Sequence, residues 1–297
     1  MSVVAASLPV RHQYARVVRH LASTRGAEVC ALQASPLLGA YLGGLGPDGG
    51  NLGRQALMLV GSIALTAHVF LFNDWADYSR DLRDPRREVS SIDGYGISRD
   101  HIARVAIVLL ILANIAFAVV GTTALLFGAG IATLSVLYSF SPRFGKSTPI
   151  AASFNHLIGG GLHFLLGYSV ARAVDARGVV LSLVVGLVFA AGHLNQEVRD
   201  FEFDHANRIG TIAVTFGCRR GFLASFGLFT TAYLLIVGLA ALGVLPKILL
   251  MSPVVWLFQA RWSLQALRRG LGSKTALWMQ RRYRLLFALV GLAMLVR

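Results

Sequence analysis

Charge is scarce in this sequence. Only 14% of its 297 residues are charged, against about 25% in an ordinary soluble domain. Acids are scarcer still: 14 Asp and Glu stand against 28 Lys and Arg, for a formal net charge of +14. There are only two cysteines, Cys30 and Cys218. They are isolated, and no His/Cys grouping has zinc spacing, which excludes a disulfide scaffold and a structural zinc module. What is plentiful is apolar: 55% of the chain is hydrophobic and 31 residues are glycine. A disordered polar chain is excluded by that content. A nucleic-acid binder would share the basic balance but not the hydrophobicity, so no nucleic-acid partner is expected. The class left is a polytopic membrane protein.

A helix needs about 20 apolar residues to cross about 30 Å of hydrocarbon. The sequence offers nine such stretches, roughly 28–47, 53–73, 101–120, 122–140, 150–170, 179–196, 222–243, 248–266 and 283–297. The last is short unless it begins near Thr275. The alternation of a barrel strand is absent, so the expected fold is all-α, a bundle of nine transmembrane helices with cytoplasmic cap loops, formed by residues 1–297 as a single domain. Alternate connections hold most of the basic residues. Only Arg54, Arg172, Arg177, Lys247 and Arg297 fall on the other side, leaving 23 of the 28 on one face. That asymmetry puts the N-terminus in the cytoplasm, in a bacterial-type inner membrane or its equivalent. Residues 1–27 lack the basic start of a signal peptide. Val10, Tyr14, Val17, Val18 and Leu21 recur there at helical spacing between arginines, as in an interfacial helix; a frayed basic tail is the alternative.

The few acids are concentrated. Seven lie between residues 74 and 100 (Asp74, Asp77, Asp81, Asp84, Glu88, Asp93 and Asp100), and Glu197, Asp200, Glu202 and Asp204 form a second group. Asp74, Asp77 and Asp81 stand at i, i+3 and i+7 at the end of the second span, and so do Glu197, Asp200 and Asp204 at the end of the sixth. On a helix each trio projects from one face. Each is preceded by a carboxamide, Asn73 or Gln196, and contains an arginine, Arg80 or Arg199. Like charges on one face repel and call for a cation. Hard cations take oxygen ligands, and Mg²⁺ binds one or two carboxylates together with substrate phosphates. Two such clusters on the same side of the membrane suit Mg²⁺ ions gripping one diphosphate.

At these residues the chain resembles a known family. Asn73-Asp74-x-x-Asp77-x-x-x-Asp81 matches the N-D-x-x-D-x-x-x-D motif of the UbiA superfamily of intramembrane prenyltransferases, and Asp200-x-x-x-Asp204 matches its second aspartate motif. Arg199-Asp200-x-Glu202-x-Asp204, then Thr211-Ile212-Ala213-Val214 and Gly217, is similar in order and spacing to the menaquinone branch. Tyr138-Ser139, Pro142, Arg143 and Lys146 resemble the stretch after that family's fourth helix. There are departures. Asp84-Pro85-Arg86-Arg87-Glu88 stands where the family commonly has Asn-Pro-x-Arg-Pro. Arg208 stands where many members have Gly, and Pro142 stands where the ubiquinone branch has Lys. These point away from the 4-hydroxybenzoate branch.

The resemblance implies transfer of a prenyl group from an isoprenyl diphosphate to a hydrophobic or aromatic acceptor within the membrane, with Mg²⁺ as cofactor. The expected acceptor is an aromatic quinone-type precursor, with a chlorin alcohol or a lipid headgroup as alternatives. The expected metal set is Asn73, Asp74, Asp77, Asp81, Glu197, Asp200 and Asp204, with Asn73 and Glu197 as secondary ligands or orienting groups. Arg87, Arg143, Lys146 and Arg199 would contact the diphosphate. Asp77 or Asp81 would take the proton, and Tyr138, Phe140 or Phe154 could face the allyl cation. His68, Asn114, Asn155, His156, His163 and His193 fall inside spans and are functional candidates by position, although interhelical hydrogen bonds explain them as well. Six basic residues between 267 and 284 read as topology and attraction to anionic lipid. From another class, an ion-coupled transporter would also use intramembrane acids, but near the bilayer midplane rather than at helix ends.

Overall fold

In the computed structural model, residues 10–45, 52–81, 96–141 and 143–296 are described. Among them every regular element is helical: α1 (Val10–Leu32), α2 (Ala34–Leu42), α3 (Leu52–Asp81), α4 (Arg99–Val120), α5 (Thr122–Phe140), α6 (Pro149–Ala171), α7 (Ala176–Ala206), α8 (Ile212–Phe216), α9 (Cys218–Ala241), α10 (Ser252–Arg269) and α11 (Ser273–Ala293). A 3-10 turn, Lys247–Met251, leads into α10. Among the described residues five helices are long and apolar enough to cross a membrane, α3, α4, α5, α7 and α9; the expected spans 28–47, 150–170, 248–266 and 283–297 are not among them.

Two expected spans take a different form. The stretch 28–47 is divided between the end of α1 and α2, with the break at Gln33. This residue is buried inside an otherwise apolar run. Its amide donates to the Val29 carbonyl at 2.9 Å and to Thr66 Oγ1 at 3.3 Å, and its Oε1 accepts from Ser62 Oγ at 2.6 Å. Ser62 Oγ also lies 2.8 Å from His163 Nε2, so α3 and α6 are joined at the same point. The final helix starts at Ser273, not at 283, because its basic residues stay helical: Arg282 lies over Trp278, 3.7 Å from the ring centre.

The remaining boundaries follow from ordinary helix chemistry. Gly121, at φ +145°, is the one residue between α4 and α5, a conformation closed to L side chains. Pro149 opens α6 in its first turn, where a missing N–H costs nothing. Helix α7 is capped at its N-terminus by Asp175, whose carboxylate accepts from Gly178 N at 2.8 Å and from the Tyr168 hydroxyl at 2.8 Å. At its other end Ile209 N bonds to Asp204 O (2.8 Å) and Arg208 N to His205 O (3.2 Å), a Schellman arrangement. Arg208 occupies the left-handed position of that motif at φ +55°.

The helices pack most extensively as the pairs α3–α4, α6–α7, α7–α9 and α2–α6. The α2–α6 contact is close: a Cβ added at Gly167 would collide with the Pro36 backbone carbonyl, as in small-residue helix crossings in membranes. The largest apolar cluster gathers Phe164, Tyr168, Leu181, Val184, Ala232, Tyr233 and Ile236 from α6, α7 and α9. A second one joins Met58, Leu65, Ala113, Phe117 and Leu166 from α3, α4 and α6. Both long helices, α3 of 30 residues and α7 of 31, end in their acidic trios.

Candidate active site

The last turns of α3 and α7 carry the carboxylates. The acids are spaced by whole helical turns, so the helices simply continue through them. Asp74 is buried. Its carboxylate meets two side chains of α1: His20 Nε2 at 3.4 Å and Arg25 Nη2 at 3.5 Å. Asn73 precedes it with a buried Oδ1 that has no hydrogen-bond partner. Asp77 contacts the Lys146 ammonium. Arg87 and the side chain of Asp81 lie outside the described residues.

Lys146 reaches Asp77 because the α5–α6 loop folds back on itself. Ser141 Oγ accepts from the backbone N–H of Arg143 at 3.3 Å and of Phe144 at 3.0 Å, and Lys146 N donates to Tyr138 O at 2.9 Å. The lysine is thereby buried, while Arg143 stays exposed beside it.

On α7, Glu197 is 3% exposed. Its Oε2 accepts from Ile212 N at 2.9 Å and Ala213 N at 3.4 Å, the first turn of α8, while Oε1 lies 3.0 Å from His193 Nε2. The sequence Thr211-Ile212-Ala213-Val214 is thus the helix start that Glu197 holds, with Thr211 Oγ1 as N-cap, accepting from Val214 N at 3.3 Å. Arg199 forms a two-pronged pair with its neighbour Asp200 (2.9 and 2.7 Å) and donates to Gln280 Oε1 on α11 at 3.2 Å. Asp204 is buried at the end of the same helix.

Tyr138, at the end of α5, connects the two halves. Its ring meets His193, whose Nε2 lies 3.0 Å from Glu197 Oε1 on α7, and its carbonyl accepts from the backbone N–H of Lys146, whose ammonium contacts Asp77 on α3. Beneath it, His156 and His193 stack face to face with ring centres 3.7 Å apart and planes 7° from parallel. The Tyr138 ring stands edge-on to both, at 5.2 and 6.1 Å. His156 Nδ1 donates to the Ala152 carbonyl at 2.9 Å.

The structure therefore links Asp77, Lys146, Tyr138 and, through His193, Glu197. Other candidates lie apart. Phe154 is 57% exposed on the outer face of α6. Phe140 packs against Phe72 and Trp75 at 5.6 and 5.7 Å. His68 donates to the Ala106 carbonyl at 2.9 Å, Asn155 to Leu134 O at 2.9 Å, and Asn114 to Leu110 O at 2.8 Å. Sequence reasoning missed His20 and Arg25, which approach Asp74 from a helix read as merely interfacial, and the pairing of His156 with His193. The only signal for the first was the basic stripe of α1; for the second it was two histidines inside apolar spans.

The donors at the two helix ends are oxygen atoms of carboxylates and one carboxamide, the set a hard cation takes. Among the described residues no group of three or more His, Cys, Asp and Glu could hold a metal ion by itself. Mg²⁺ binds one or two carboxylates and completes its shell with water and substrate phosphate. The partnerless Asn73 Oδ1 is a further oxygen donor at the same place.

The model of the UbiA prenyltransferase family matches residues 33–291. No curated protein matches the sequence. Among solved structures, a UbiA homologue from Archaeoglobus fulgidus bound to GPP and Mg²⁺ is similar with a TM-score of 0.71 and 20% identity, covering 95% of this chain and 99% of that one. An apo UbiA homologue from Aeropyrum pernix K1 is similar with a TM-score of 0.67 and 18% identity, covering 91% and 98%. A digeranylgeranylglyceryl phosphate synthase structure gives 0.67 and 17%, covering 95% and 98%. At these identities the likeness establishes the shared helical fold, while the family model spans most of the sequence and meets both acidic helix ends. The chain belongs to the UbiA prenyltransferase family.

Proposed function

We propose that this protein transfers a prenyl group from an isoprenyl diphosphate to an aromatic, quinone-type precursor, in an Mg²⁺-dependent reaction at the cytoplasmic ends of α3 and α7. The observation that carries the proposal is that α3 and α7 both end in acidic trios, with Lys146 contacting Asp77 at the first of them. The aromatic acceptor is supported by the order of Arg199, Asp200, Glu202 and Asp204 in the second motif. The Archaeoglobus fulgidus homologues carry GPP or DMAPP with Mg²⁺, which supports the same donor class and cofactor here.

In this reading Asp74, Asp77, Asp81, Asp200 and Asp204 hold the metal, with Asn73 and Glu197 orienting them. Bound Mg²⁺ would offset the repulsion among the carboxylates and stabilise the negative charge of the leaving diphosphate. Lys146, Arg143, Arg87 and Arg199 grip phosphate oxygens, the arginines in two-pronged fashion and the lysine as a point charge. The allylic C–O bond breaks and its electron pair leaves with the diphosphate. The electron-rich ring carbon of the acceptor forms the new C–C bond, and its proton passes to Asp77 or Asp81. The edge-on Tyr138 offers a π face to the allyl cation. Nine spans with the N-terminus and site in the cytoplasm, and a single domain over 1–297, complete the proposal; the 23-to-5 split of basic residues supports the orientation.

The test is turnover of a radiolabelled isoprenyl diphosphate by the purified protein with a panel of acceptors, read by mass spectrometry. Diphosphate release should require Mg²⁺, and Asp77→Ala and Asp204→Ala should each lower it at least about 100-fold. Normal turnover by both variants would remove the metal-site assignment. Product formation only with a non-aromatic acceptor would leave the chemistry and overturn the acceptor.

A further inference from the structure

A second recognition site lies where the start of α9 meets the end of α10, backed by the apolar side chains Val198 and Phe201 of α7. An open surface cavity of about 600 Å³ is lined by Cys218, Arg219, Leu264, Leu267, Arg268 and Leu271. Leu264, Leu267 and Arg268 are spaced i, i+3 and i+4, so they present one stripe at the end of α10, and Leu271 follows beyond Gly270. Leu264 is 57% exposed, and Arg219 and Arg268 are also exposed. The cavity thus has an apolar wall and a rim with two guanidinium groups and no acid.

Two further observations fix its character. Gly217, which precedes α9, offers no side chain to the helix's first-turn N–H groups. The positive end of a 24-residue helix therefore adds to the charge of Arg219. Close by, Arg269 and Arg282 lie over the Trp278 ring at 5.1 and 3.7 Å, and Arg282 also lies over Trp262 at 5.4 Å. Tryptophan and arginine paired in this way belong to the boundary layer between hydrocarbon and water. The ring pair also makes a firm backing, because Trp262, Trp278, Cys218, Leu267 and Leu271 share one apolar cluster with Ala266 and Met279.

We propose that this cavity binds an anionic phospholipid of the surrounding bilayer. Its phosphate would sit between Arg219, Arg268 and the first turn of α9, and an acyl chain would lie along Leu264, Leu267 and Leu271. A zwitterionic lipid brings a cationic choline or amine against the two arginines, and an isolated anion makes no use of the leucine stripe. Charge complementarity and the continuous apolar wall therefore select the anionic lipid. The site is independent of the prenyl-transfer reading, since it needs only a chain embedded in a membrane.

The test uses the full-length protein in nanodiscs containing equal amounts of phosphatidylglycerol and phosphatidylcholine with identical acyl chains. Lipid retained after transfer to detergent is counted by native mass spectrometry. At about 1 kcal/mol per arginine near the membrane surface, the two groups should give wild type about a 30-fold preference for phosphatidylglycerol. Arg219→Gln/Arg268→Gln should lose nearly all of it. Lys274→Gln/Arg281→Gln, which removes the same charge from exposed positions outside the cavity, should keep it. Leu264→Trp, which leaves both arginines but fills the wall, should weaken retention and serves if the double glutamine variant does not fold. Equal retention of the two lipids by wild type, an equal loss in the Lys274/Arg281 control, or complete displacement by millimolar inorganic phosphate would each overturn the proposal.

Discussion

The ammonium of Lys146, in the α5–α6 loop, contacts the carboxylate of Asp77 near the end of α3. The two side chains are 10% and 16% exposed, so the pair is largely removed from water. In a largely buried pair, removing one partner is more costly than replacing both. Lys146→Met should therefore unfold in detergent at markedly lower temperature. Lys146→Met/Asp77→Asn should recover at least half of the loss while remaining inactive. Additive destabilisation in this cycle would mean that the two groups do not act on each other.

Glu197 joins the second acidic helix end to α8. It supplies the acceptor for two N–H groups at the start of a five-residue helix that is too short to be stable alone. Glu197→Leu leaves those donors buried without a partner and should cost about 2 kcal/mol. Gln retains a carbonyl acceptor and should lose less. Hydrogen exchange of the amides of 212–216 reads this directly: faster exchange is expected in the Leu variant, and an unchanged rate would show that α8 is held by its apolar contacts alone.

Arg208 stands at the left-handed position after α7, where a side chain costs about 1–2 kcal/mol relative to glycine's unrestricted backbone. Arg208→Gly should therefore raise stability by about 1 kcal/mol. Arg208→Ala keeps the strain and should not. If Ala and Gly stabilise equally, the benefit comes from removing a positive charge and not from the backbone.

Asp175 caps the opposite end of α7, outside the apolar span. Its carboxyl is held below its ordinary value of 3.8, chiefly by the Gly178 N–H and then by the Tyr168 hydroxyl. A group whose pKa is lower folded than unfolded adds stability that is fully present above the unfolded value and is lost as pH falls through the folded one. Thermal stability should therefore drop more steeply below about pH 4 in the wild type than in Asp175→Asn, which can still cap but does not titrate there. Parallel profiles for the two proteins would show that the charge of Asp175 is not what holds the helix start.

The sequence read the helix ends of the site better than it read their surroundings. Asp74, Asp77 and Asp81, like Glu197, Asp200 and Asp204, keep helical spacing beyond the apolar run, so their common face could be read without coordinates. Counting apolar residues ended the spans at 73 and 196, but helices α3 and α7 run on to Asp81 and Ala206; hydropathy marks where lipid ends, not where hydrogen bonding ends. The first span breaks one turn ahead of Pro36, which cannot bond to the Leu32 carbonyl, and Gln33 at the break is held by Ser62 and Thr66 on another helix. Such contacts have no local signature. For the same reason His20 and Arg25 could not be assigned to Asp74. The early start of α11 was obscured by Arg281, Arg282 and Arg284, which look like a loop by charge; the stacking of Arg282 on Trp278 accounts for one of them.

The lengths of α3 and α7 act together as a depth gauge. At about 1.5 Å per residue, 30 and 31 residues measure about 45 Å, some 15 Å more than the hydrocarbon layer. The surplus in each helix is its acidic end. A molecule with a diphosphate head and a hydrocarbon tail has its own water–oil boundary, and in a bilayer that boundary settles at the level of the phospholipid phosphates. In the proposed reading both acidic ends meet that level, so such a donor reaches them by lateral diffusion with its tail remaining in oil throughout.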